Sequence, residues 1–257
     1  MRSGAKTKAR QAEILRLLKK DGRALVDDLA DMLGTTPQTV RKDLSALAED
    51  NQIIRFHGGA TLSAGTEYAG FDVRRAILRD EKAAIGRAVA AEIPNNSSII
   101  LNGGTTTAEV ARHLVHHVGL KVVVDSVYLA NILREYVGVE VMVPAGVVRG
   151  SDGAIFGEPA IEFIRNFRAD ISVVGAAAIE VTGALLDYDL HESGVSRAII
   201  QSARNVILAA DGSKFGRLAP VCFGHISQVG TLVTDASCPS ALGTLCQDAG
   251  VRVVAAG

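Results

Sequence analysis

A run of glycine and threonine residues, Asn102-Gly103-Gly104-Thr105-Thr106-Thr107, leads directly into a predicted helix. Glycine lets the backbone approach an anion, and threonine hydroxyls together with the N–H groups of a helix N-terminus can hydrogen-bond it. The run is neither a P-loop nor GxGxxG, so it does not imply a nucleotide. We expect Gly104, Thr105 and Thr106 to bind a phosphate group. The alternative is a glycine turn with a threonine N-cap and no ligand.

Polar side chains also follow several other apolar segments of the chain. They are Asp125 and Ser126, then Arg149 and Asp152 in a glycine-containing stretch, and later Asp211 and Lys214. An aspartate and a lysine at one strand end can hold a hydroxyl and a phosphate. An acidic cluster suited to sugar hydroxyls precedes a predicted helix and comprises Asp187, Asp189, His191 and Glu192. The alternative for that cluster is a solvated loop with acidic residues that favour a helix N-terminus.

These polar residues are expected at the ends of strands, because the second part of the chain alternates apolar strands with helices. Strands are predicted at 98–101, 121–125, 139–143, 170–177, 205–211, 231–235 and 251–255. Helices are predicted near 106–117, 127–136, 157–167, 191–203 and 239–249, after one that begins near Asp80. This alternation predicts an α/β domain with a mostly parallel sheet covered on both faces, which binds ligands at the carboxyl ends of its strands.

The first sixty residues predict a helix-turn-helix. A first helix at 10–20 and a second at 25–33 carry apolar faces made of Ile14, Leu17 and Leu18, and of Leu25, Leu29, Met32 and Leu33. The third helix has Thr36 as its N-cap and Pro37 at its first position, where the missing N–H costs nothing. Its apolar face is Val40, Leu44 and Leu47, and its polar face is Gln38, Thr39, Arg41 and Lys42. A capped helix with polar and basic residues in its first two turns is typical of a major-groove reader.

The segment after the third helix predicts a wing. The run IIRFHGGA fits a short strand followed by a Gly-Gly turn. This places Arg55 and His57 near a phosphate or the minor groove of DNA. Alone, each of these residues also fits an ordinary surface position, and it is their order along the chain that favours a winged helix-turn-helix.

Composition is that of a globular protein and argues against several other classes. The 257 residues are 48% hydrophobic and 21% charged, with a net charge of −1. No stretch has the roughly 18 apolar residues of a membrane span, and the basic N-terminus lacks the apolar core of a secretion signal. Three cysteines without a CxxC pair argue against structural zinc or a disulfide framework and favour a reducing cytoplasm.

The near-zero net charge hides an asymmetry between the two parts of the chain. Residues 1–60 carry 11 basic and 8 acidic side chains, whereas residues 61–257 carry 16 and 20. A small basic part attached to a larger acidic part is typical of a polyanion-binding module joined to another domain.

The stretch TPQTVRKDLSALAEDNQIIRFHGGA resembles the DNA-binding signature of DeoR-type bacterial transcription regulators, S-x-x-T-[IV]-R-R-D-L followed by R-x-H-G-G-A. Thr36 replaces the serine and Lys42 the second arginine. The resemblance implies contacts with operator DNA by Thr36, Gln38, Thr39, Arg41, Lys42, Arg55 and His57. We expect a repressor in the bacterial cytoplasm, associated with the nucleoid through its operator, that acts as a homo-oligomer, a dimer or a tetramer.

The resemblance to DeoR-type regulators continues over nearly the whole chain. Their sensor domains have a fold similar to that of ribose-5-phosphate isomerases and contain a G-T-T loop, a T-N-S-like loop and a D-x-S-K-F segment. The first and last motifs are present, but Asp125 stands where Asn is common and Asn102 where Asp is usual. The implied effector-binding residues are Gly104, Thr105, Thr106, Asp125, Ser126, Arg149, Asp152, Glu192, Asp211 and Lys214.

The effector is expected to be a phosphorylated sugar or polyol. The segments SDGAIFGEPAIEFIRNFRADI and YDLHE resemble the glycerol-3-phosphate-responsive repressors of the family, which implies glycerol-3-phosphate. Another small polyol or sugar phosphate stays open, because Val195 and Ser196 stand where those repressors tend to be more polar or basic.

We therefore predict a DNA-binding domain (1–61), a linker (62–77) and an effector domain (78–257), with no cofactor, no metal and no membrane partner. The predicted function is a repressor of a carbohydrate or polyol catabolic operon that is relieved by a phosphorylated metabolite. The alternative is a sugar-phosphate isomerase that uses Asp211, Lys214 or Glu192 as acid and base, since the fold alone permits both. The recognition helix favours the regulator, because an isomerase has no need of it.

Overall fold

A computed structural model describes residues 2–21, 23–49, 53–56, 58–62, 70–235 and 238–257 of the protein. They form two compact units, the first ending at Leu78 and the second beginning at Arg79. Within these described ranges, no helix is both long and apolar enough to cross a membrane. The same ranges contain no group of three or more His, Cys, Asp or Glu side chains that could hold a metal ion.

The first unit combines helices with a small antiparallel sheet. Its helices are α1 (Arg2–Asp21), α2 (Val26–Met32), α3 (Pro37–Glu49) and α4 (Phe71–Ala76), and its strands are β1 (Arg23–Leu25), β2 (Ile53–Phe56) and β3 (Gly59–Leu62). The strands pair in the order β1-β3-β2. Helices α2 and α3 form the predicted helix-turn-helix, and the hairpin β2–β3 forms the predicted wing. Helix α4 occupies the last part of the predicted linker, whose residues 63–69 lie outside the described residues.

The core of the first unit is built from the predicted apolar faces of α1 and α3. Ile14 and Leu18 of α1 are fully buried, and so are Val40 and Leu44 of α3, with Leu47 almost so. These side chains form one apolar cluster, which packs the recognition helix against α1.

The predicted apolar face of the second helix is wrong at two positions. Leu25 precedes the helix in strand β1 and is 46% exposed, and Met32 is 63% exposed. The helix begins at Val26, so its buried face consists of Val26, Leu29 and Ala30. Leu25 belongs to the short strand β1, which pairs with β3, so the helix begins one residue later than predicted. As a result, a different set of its residues faces the core.

In its described residues, the second unit contains twelve strands and six α-helices. The strands are β4 (Ser98–Leu101), β5 (Leu120–Val124), β6 (Val139–Met142), β7 (Val147–Val148), β8 (Ile155–Phe156), β9 (Ala169–Val174), β10 (Ala178–Ile179), β11 (Ala184–Asp187), β12 (Ala203–Ala209), β13 (Val221–His225), β14 (Thr231–Thr234) and β15 (Arg252–Ala255). The helices are α5 (Arg79–Ala91), α6 (Thr105–His113), α7 (Val127–Leu133), α8 (Glu158–Arg165), α9 (Leu190–Gln201) and α10 (Ser240–Asp248).

Seven of these strands form one sheet in the order β15-β14-β12-β9-β4-β5-β6. All neighbouring pairs in it are parallel. These are the seven predicted strands, and α5–α10 are the six predicted helices of this part of the chain. Alternate residues point to opposite faces: Ile100 and Val174 belong to one apolar cluster, Ile99 and Val173 to another. The prediction of an α/β sheet covered on both faces is confirmed.

The remaining five strands were not predicted. Strands β7 and β8 form a two-stranded hairpin, and β10, β11 and β13 form a small antiparallel sheet. Strands β7, β8 and β10 have only two residues each, too few for hydrophobic periodicity to distinguish a strand from a loop.

The strand order contains one reversal that positions the candidate effector site. After β4 the chain adds β5 and β6 on one side, then crosses to place β9, β12, β14 and β15 on the other. The carboxyl ends of β4 and β9 therefore flank a topological switch point, where parallel sheets bind their ligands. The glycine-threonine run after β4, here called the Gly-Thr loop (residues 102–107), lies at this point.

Candidate DNA interface and effector site

The recognition helix α3 begins as its sequence predicts. The hydroxyl of Thr36 accepts a hydrogen bond from the backbone N–H of Thr39 at 3.2 Å, and the two threonine hydroxyls lie 2.9 Å apart. Pro37 is the first residue of the helix. The N-cap satisfies an N–H that the helix itself cannot pair, and so fixes the first turn.

The outer face of α3 carries the polar residues that were expected to contact DNA. Gln38, Arg41 and Lys42 are exposed, and Thr39 is half-buried beside its cap. This face is opposite Val40 and Leu44, which are buried. Arginine and glutamine can each make paired hydrogen bonds to a base edge, whereas lysine acts as a point charge for phosphate.

A partly buried ion pair that the sequence did not predict fixes α3 on α1. The guanidinium of Arg10 donates from Nε, and at 3.1 Å from Nη2, to the carboxylate of Asp43. Asp43 is only 3% exposed. The two residues are 33 positions apart, so no local spacing indicates the contact. The pair orients the helix whose opposite face carries Arg41 and Lys42.

The wing side chain Arg55 is held against the recognition helix. Its Nη1 donates to the hydroxyl of Ser45 at 2.6 Å, and that hydroxyl donates to the carbonyl of Arg41 at 2.9 Å. Arg55 is exposed, so its guanidinium and the outer face of α3 belong to one surface. His57, the other predicted wing contact, lies outside the described residues.

The Gly-Thr loop has an unusual helix start. The N-cap of α6 is Gly104, which provides no side-chain acceptor. The following threonines, Thr105, Thr106 and Thr107, are buried, and the hydroxyl of Thr107 has no hydrogen-bond partner among the described residues. The alternative of a threonine N-cap is therefore wrong. A helix N-terminus without a side-chain acceptor, beside a buried unpaired hydroxyl, is suited to an anion.

The next strand end, after β5, places a buried carboxylate beside this loop. Asp125 accepts a hydrogen bond from Asn102 Nδ2 at 2.7 Å and another from the backbone N–H of Gly103. Burial raises the pKa of Asp125 to about 7, and the charge of Glu192 acts in the same direction, whereas the two hydrogen bonds oppose the rise. Ser126 caps helix α7 by accepting from the N–H of Leu129 at 3.4 Å.

A cluster of charges lies around Arg149. Its guanidinium donates to both oxygens of Asp152 at 2.9 and 2.6 Å and to Glu192 at 2.7 Å, and lies 3.5 Å from Asp189. These bonds raise the pKa of Arg149 above its usual value. Arg149 is thus surrounded by three carboxylates, and two of them, Asp189 and Glu192, connect its loop to the start of α9.

The acidic cluster before α9 divides into separate roles. Asp189 is the N-cap of α9 and accepts from the N–H groups of His191 and Glu192. The ring of His191 stacks on Phe156 with 6.0 Å between centroids. Asp187 accepts from the following backbone N–H at 2.7 Å. Of the cluster, Glu192 accepts a hydrogen bond from Arg149, and Asp189 forms an ion pair with it at 3.5 Å.

Asp211 and Lys214 lie after β12, in a 3-10 turn (Gly212–Lys214). Asp211 caps the turn through its Oδ1 atom, which accepts from the N–H of Ser213 at 3.1 Å. Its other oxygen lies 3.9 Å from Nζ of Lys82, a residue of α5 that the sequence analysis did not single out. Burial tends to raise the pKa of Asp211, but the charges of Lys214 and Lys82 hold it below its ordinary value.

The structure brings two groups of the predicted effector residues to one edge of the sheet. Asp125 is joined to the loop that contains Arg149 by two backbone bonds of 2.8 Å, from Ile155 to Asp125 and from Val127 to Gly153. Asp211 and Lys214 form the second group at the end of β12, separated from β4 by β9.

A winged helix-turn-helix followed by an α/β unit with polar residues at its strand ends is the organisation of ligand-responsive transcription regulators. The DeoR-like helix-turn-helix domain matches residues 10–65, and the DeoR C terminal sensor domain matches residues 78–236. The chain belongs to the DeoR family.

Relatives with this organisation include two named repressors. The chain is 39% identical to the glycerol-3-phosphate regulon repressor of Escherichia coli (strain K12), over 88% of this chain and 90% of that protein. It is 38% identical to the HTH-type transcriptional repressor CsqR of the same organism, over 95% and 94%. Among solved structures, a ribose 5-phosphate isomerase from Methanocaldococcus jannaschii resembles it with a TM-score of 0.41 and 16% identity, over 55% and 56%. A likeness of that size says nothing about function.

Proposed function

We propose that the protein is a transcriptional repressor of a carbohydrate or polyol catabolic operon, released from its operator by a phosphorylated metabolite, with glycerol-3-phosphate as the effector. The family and the names of its relatives support repression, and the E. coli relative supports glycerol-3-phosphate. The proposed domains are 1–61 for DNA and 78–257 for the effector, joined by 62–77. A repressor acts where its operator is, which is the cytoplasm of a bacterium.

On the DNA side, we assign base contacts to Gln38 and Arg41, since both extend from the exposed face of α3. Lys42 and Arg55 neutralise phosphates of the DNA. Thr36 and Thr39, at the start of helix α3, contact the DNA backbone. A homo-oligomer, dimer or tetramer, places two such surfaces on repeated half-sites.

On the effector side, the observation that carries the proposal is the start of α6. Its glycine N-cap and the buried, unpaired hydroxyl of Thr107 leave donors for an anion at the switch point of the sheet. We assign the phosphate to Gly104, Thr105 and Thr106, with Lys214 as the cation. The hydroxyl groups of the effector then face the group around Arg149, which comprises Asp125, Ser126, Arg149, Asp152 and Glu192, and Asp211 supports Lys214.

The departure from the glycerol-3-phosphate-responsive repressors at Val195 and Ser196 does not argue against glycerol-3-phosphate as the effector. Val195 and Ser196 are both buried within α9, and Val195 belongs to the apolar core. Their chemistry therefore reflects packing of the helix on the sheet.

Release from DNA requires two states of the protein. The effector can shift the equilibrium only by its difference in affinity between the operator-binding state and the other state. We propose that glycerol-3-phosphate binds more tightly to the state whose paired recognition helices do not fit the operator half-sites.

The isomerase alternative is less well supported. Glu192 is bonded to Arg149, and Asp211 is fully buried and caps a turn, so neither carboxylate is placed as a free acid or base. The relatives are named as repressors. We propose that the protein has no catalytic role.

The proposal is tested by gel retardation of DNA from upstream of the protein's own operon, with and without glycerol-3-phosphate. We expect a specific complex that the metabolite dissociates. A thermal-shift screen of phosphorylated sugars and polyols identifies the effector, because a ligand that binds only the native state raises the melting temperature. Turnover of ribose-5-phosphate without DNA binding would instead favour the isomerase.

A further inference from the structure

Lys82 is a buried cation that belongs to neither of the groups described above. It lies in the first turn of α5, and only 2% of its surface is exposed. Burial and the positive end of a helix dipole both disfavour a cation there. The carboxylate of Asp211 offsets this cost, since it is fully buried and its Oδ2 atom lies 3.9 Å from Lys82 Nζ.

Asp211 and a second carboxylate hold the turn that carries Lys214. Asp211 accepts from the backbone N–H and the hydroxyl of Ser213, and Asp235 accepts from the N–H of Gly212 at 3.0 Å. The negative charge of Asp211 acts on Lys214. Both carboxylates repel an anion at this turn, and a cation beside Asp211 lessens that repulsion.

We propose that Lys82 is a positioning residue of the effector site: its charge offsets that of Asp211, which lessens the repulsion between this carboxylate and the phosphate of the effector. This inference rests on the proposed function, because it assumes a phosphorylated effector at this edge of the sheet.

Helix α5, which carries Lys82, is fixed against the other part of the phosphate site. A Cβ atom at Gly86 of α5 would lie only 2.7 Å from the carbonyl carbon of Glu109 in α6. The backbones of the two helices are therefore in close contact, and α6 begins at the Gly-Thr loop. One helix thus contacts α6 through Gly86 and reaches the end of β12 through Lys82.

The ionisation of Asp211 agrees with this role. Burial alone would raise its pKa, but the charges of Lys214 and Lys82 keep it below the ordinary value, so the group is a carboxylate at neutral pH. Replacing Lys82 by a neutral residue leaves that carboxylate opposed by Lys214 alone.

The test compares glycerol-3-phosphate affinity, measured by isothermal titration calorimetry on the full chain. Lys82→Met keeps the length of the side chain and removes its charge, and we expect affinity to fall about tenfold or more, as for the loss of a charge-assisted contact. The double variant Lys82→Met/Asp211→Asn should recover most of this loss, because asparagine still accepts from Ser213. Lys121→Met, at an exposed position near the start of β5, is the matched control.

A lysine with only a structural role would change the unfolding curve and leave the affinity of the folded protein unchanged. Unchanged affinity in Lys82→Met, or a double variant no better than the single one, would overturn the assignment. Urea unfolding of the wild type, both single variants and the double variant measures the coupling of the pair without ligand. If unfolding shows that Lys82 and Asp211 are coupled but the wild type binds neither glycerol-3-phosphate nor inorganic phosphate, the proposed effector is wrong. If the two single substitutions have additive effects on the free energy of unfolding, Lys82 and Asp211 do not interact as argued.

Discussion

Asp125→Asn should change how the stability of the sensor unit depends on pH. Asp125 is 3% exposed and accepts hydrogen bonds from Asn102 and Gly103. An asparagine can accept from the Gly103 N–H with its oxygen and donate to the oxygen of Asn102 once that amide is turned. The substitution therefore removes the ionisable group and keeps both hydrogen bonds.

The magnitude follows from the pKa of Asp125, which burial raises from 3.8 to about 7. Because the folded state holds this proton more tightly than the unfolded chain, the carboxyl contributes stability that is complete below the ordinary pKa and is lost as pH rises towards about 7. One tenfold step in proton affinity is about 1.4 kcal/mol, so the full loss is roughly 4 kcal/mol. Asp125→Asn does not undergo this loss.

The assay is urea unfolding followed by circular dichroism at several pH values between about 5 and 8. We expect the wild type to lose stability relative to Asp125→Asn across this window, with the largest difference at its alkaline end. Asp170→Asn is the control, because hydrogen bonds from Ser98 lower the pKa of Asp170 and move its titration below the window. If wild type and Asp125→Asn show parallel pH profiles, the carboxyl does not titrate as argued.

The DNA interface and the effector site give further expectations. Arg41→Ala should weaken operator binding by about 1–3 kcal/mol in gel retardation, whereas Lys42→Ala should weaken all DNA binding and flatten its salt dependence; unchanged operator affinity in Arg41→Ala would exclude the docking. Arg10→Ala removes the ion pair of buried Asp43 and should lower the free energy of unfolding of the first unit by about 1–3 kcal/mol in urea titration. An unchanged unfolding curve would show that the ion pair does not stabilise this unit. Thr105→Ala and Lys214→Ala should still bind operator but need roughly ten- to a hundredfold more glycerol-3-phosphate for release, and normal release by both would remove the Gly-Thr loop from the site.

Sequence patterns predicted the features that depend on neighbouring residues. The seven parallel strands were predictable because each is a short apolar run between polar turns, and the five inner strands are mostly buried. The start of α3 was predictable because the N-cap of Thr36 and the fixed backbone of Pro37 act within one helical turn. The second helix was predicted less well, because Leu25 lies in a three-residue strand and the buried face of the helix consists of other residues than predicted.

Contacts between distant residues were not predictable in the same way. A lysine in an amphipathic helix usually faces solvent, and only the packing of α5 on the sheet places Lys82 beside Asp211, which is more than a hundred residues away in sequence. Arg10 and Asp43 are a second case, in which each residue alone fits a solvated helix face.

The two departures from the DeoR-type motifs, Asn102 and Asp125, become one feature in the folded chain. Asp125 alone adds a carboxylate, which repels a phosphate, whereas Asn102 alone removes one. The structure joins them by a hydrogen bond from the Asn102 amide to the Asp125 carboxylate, so the pair still contains one amide and one acid, with their places exchanged. The number of acidic groups at this strand end is thus unchanged, and these two positions alone give no reason for a different effector. In the proposed site, discrimination among phosphorylated polyols then depends on the groups around Arg149: Asp152 and Glu192 already accept from the guanidinium, and a ligand hydroxyl would have to fit their remaining acceptor positions.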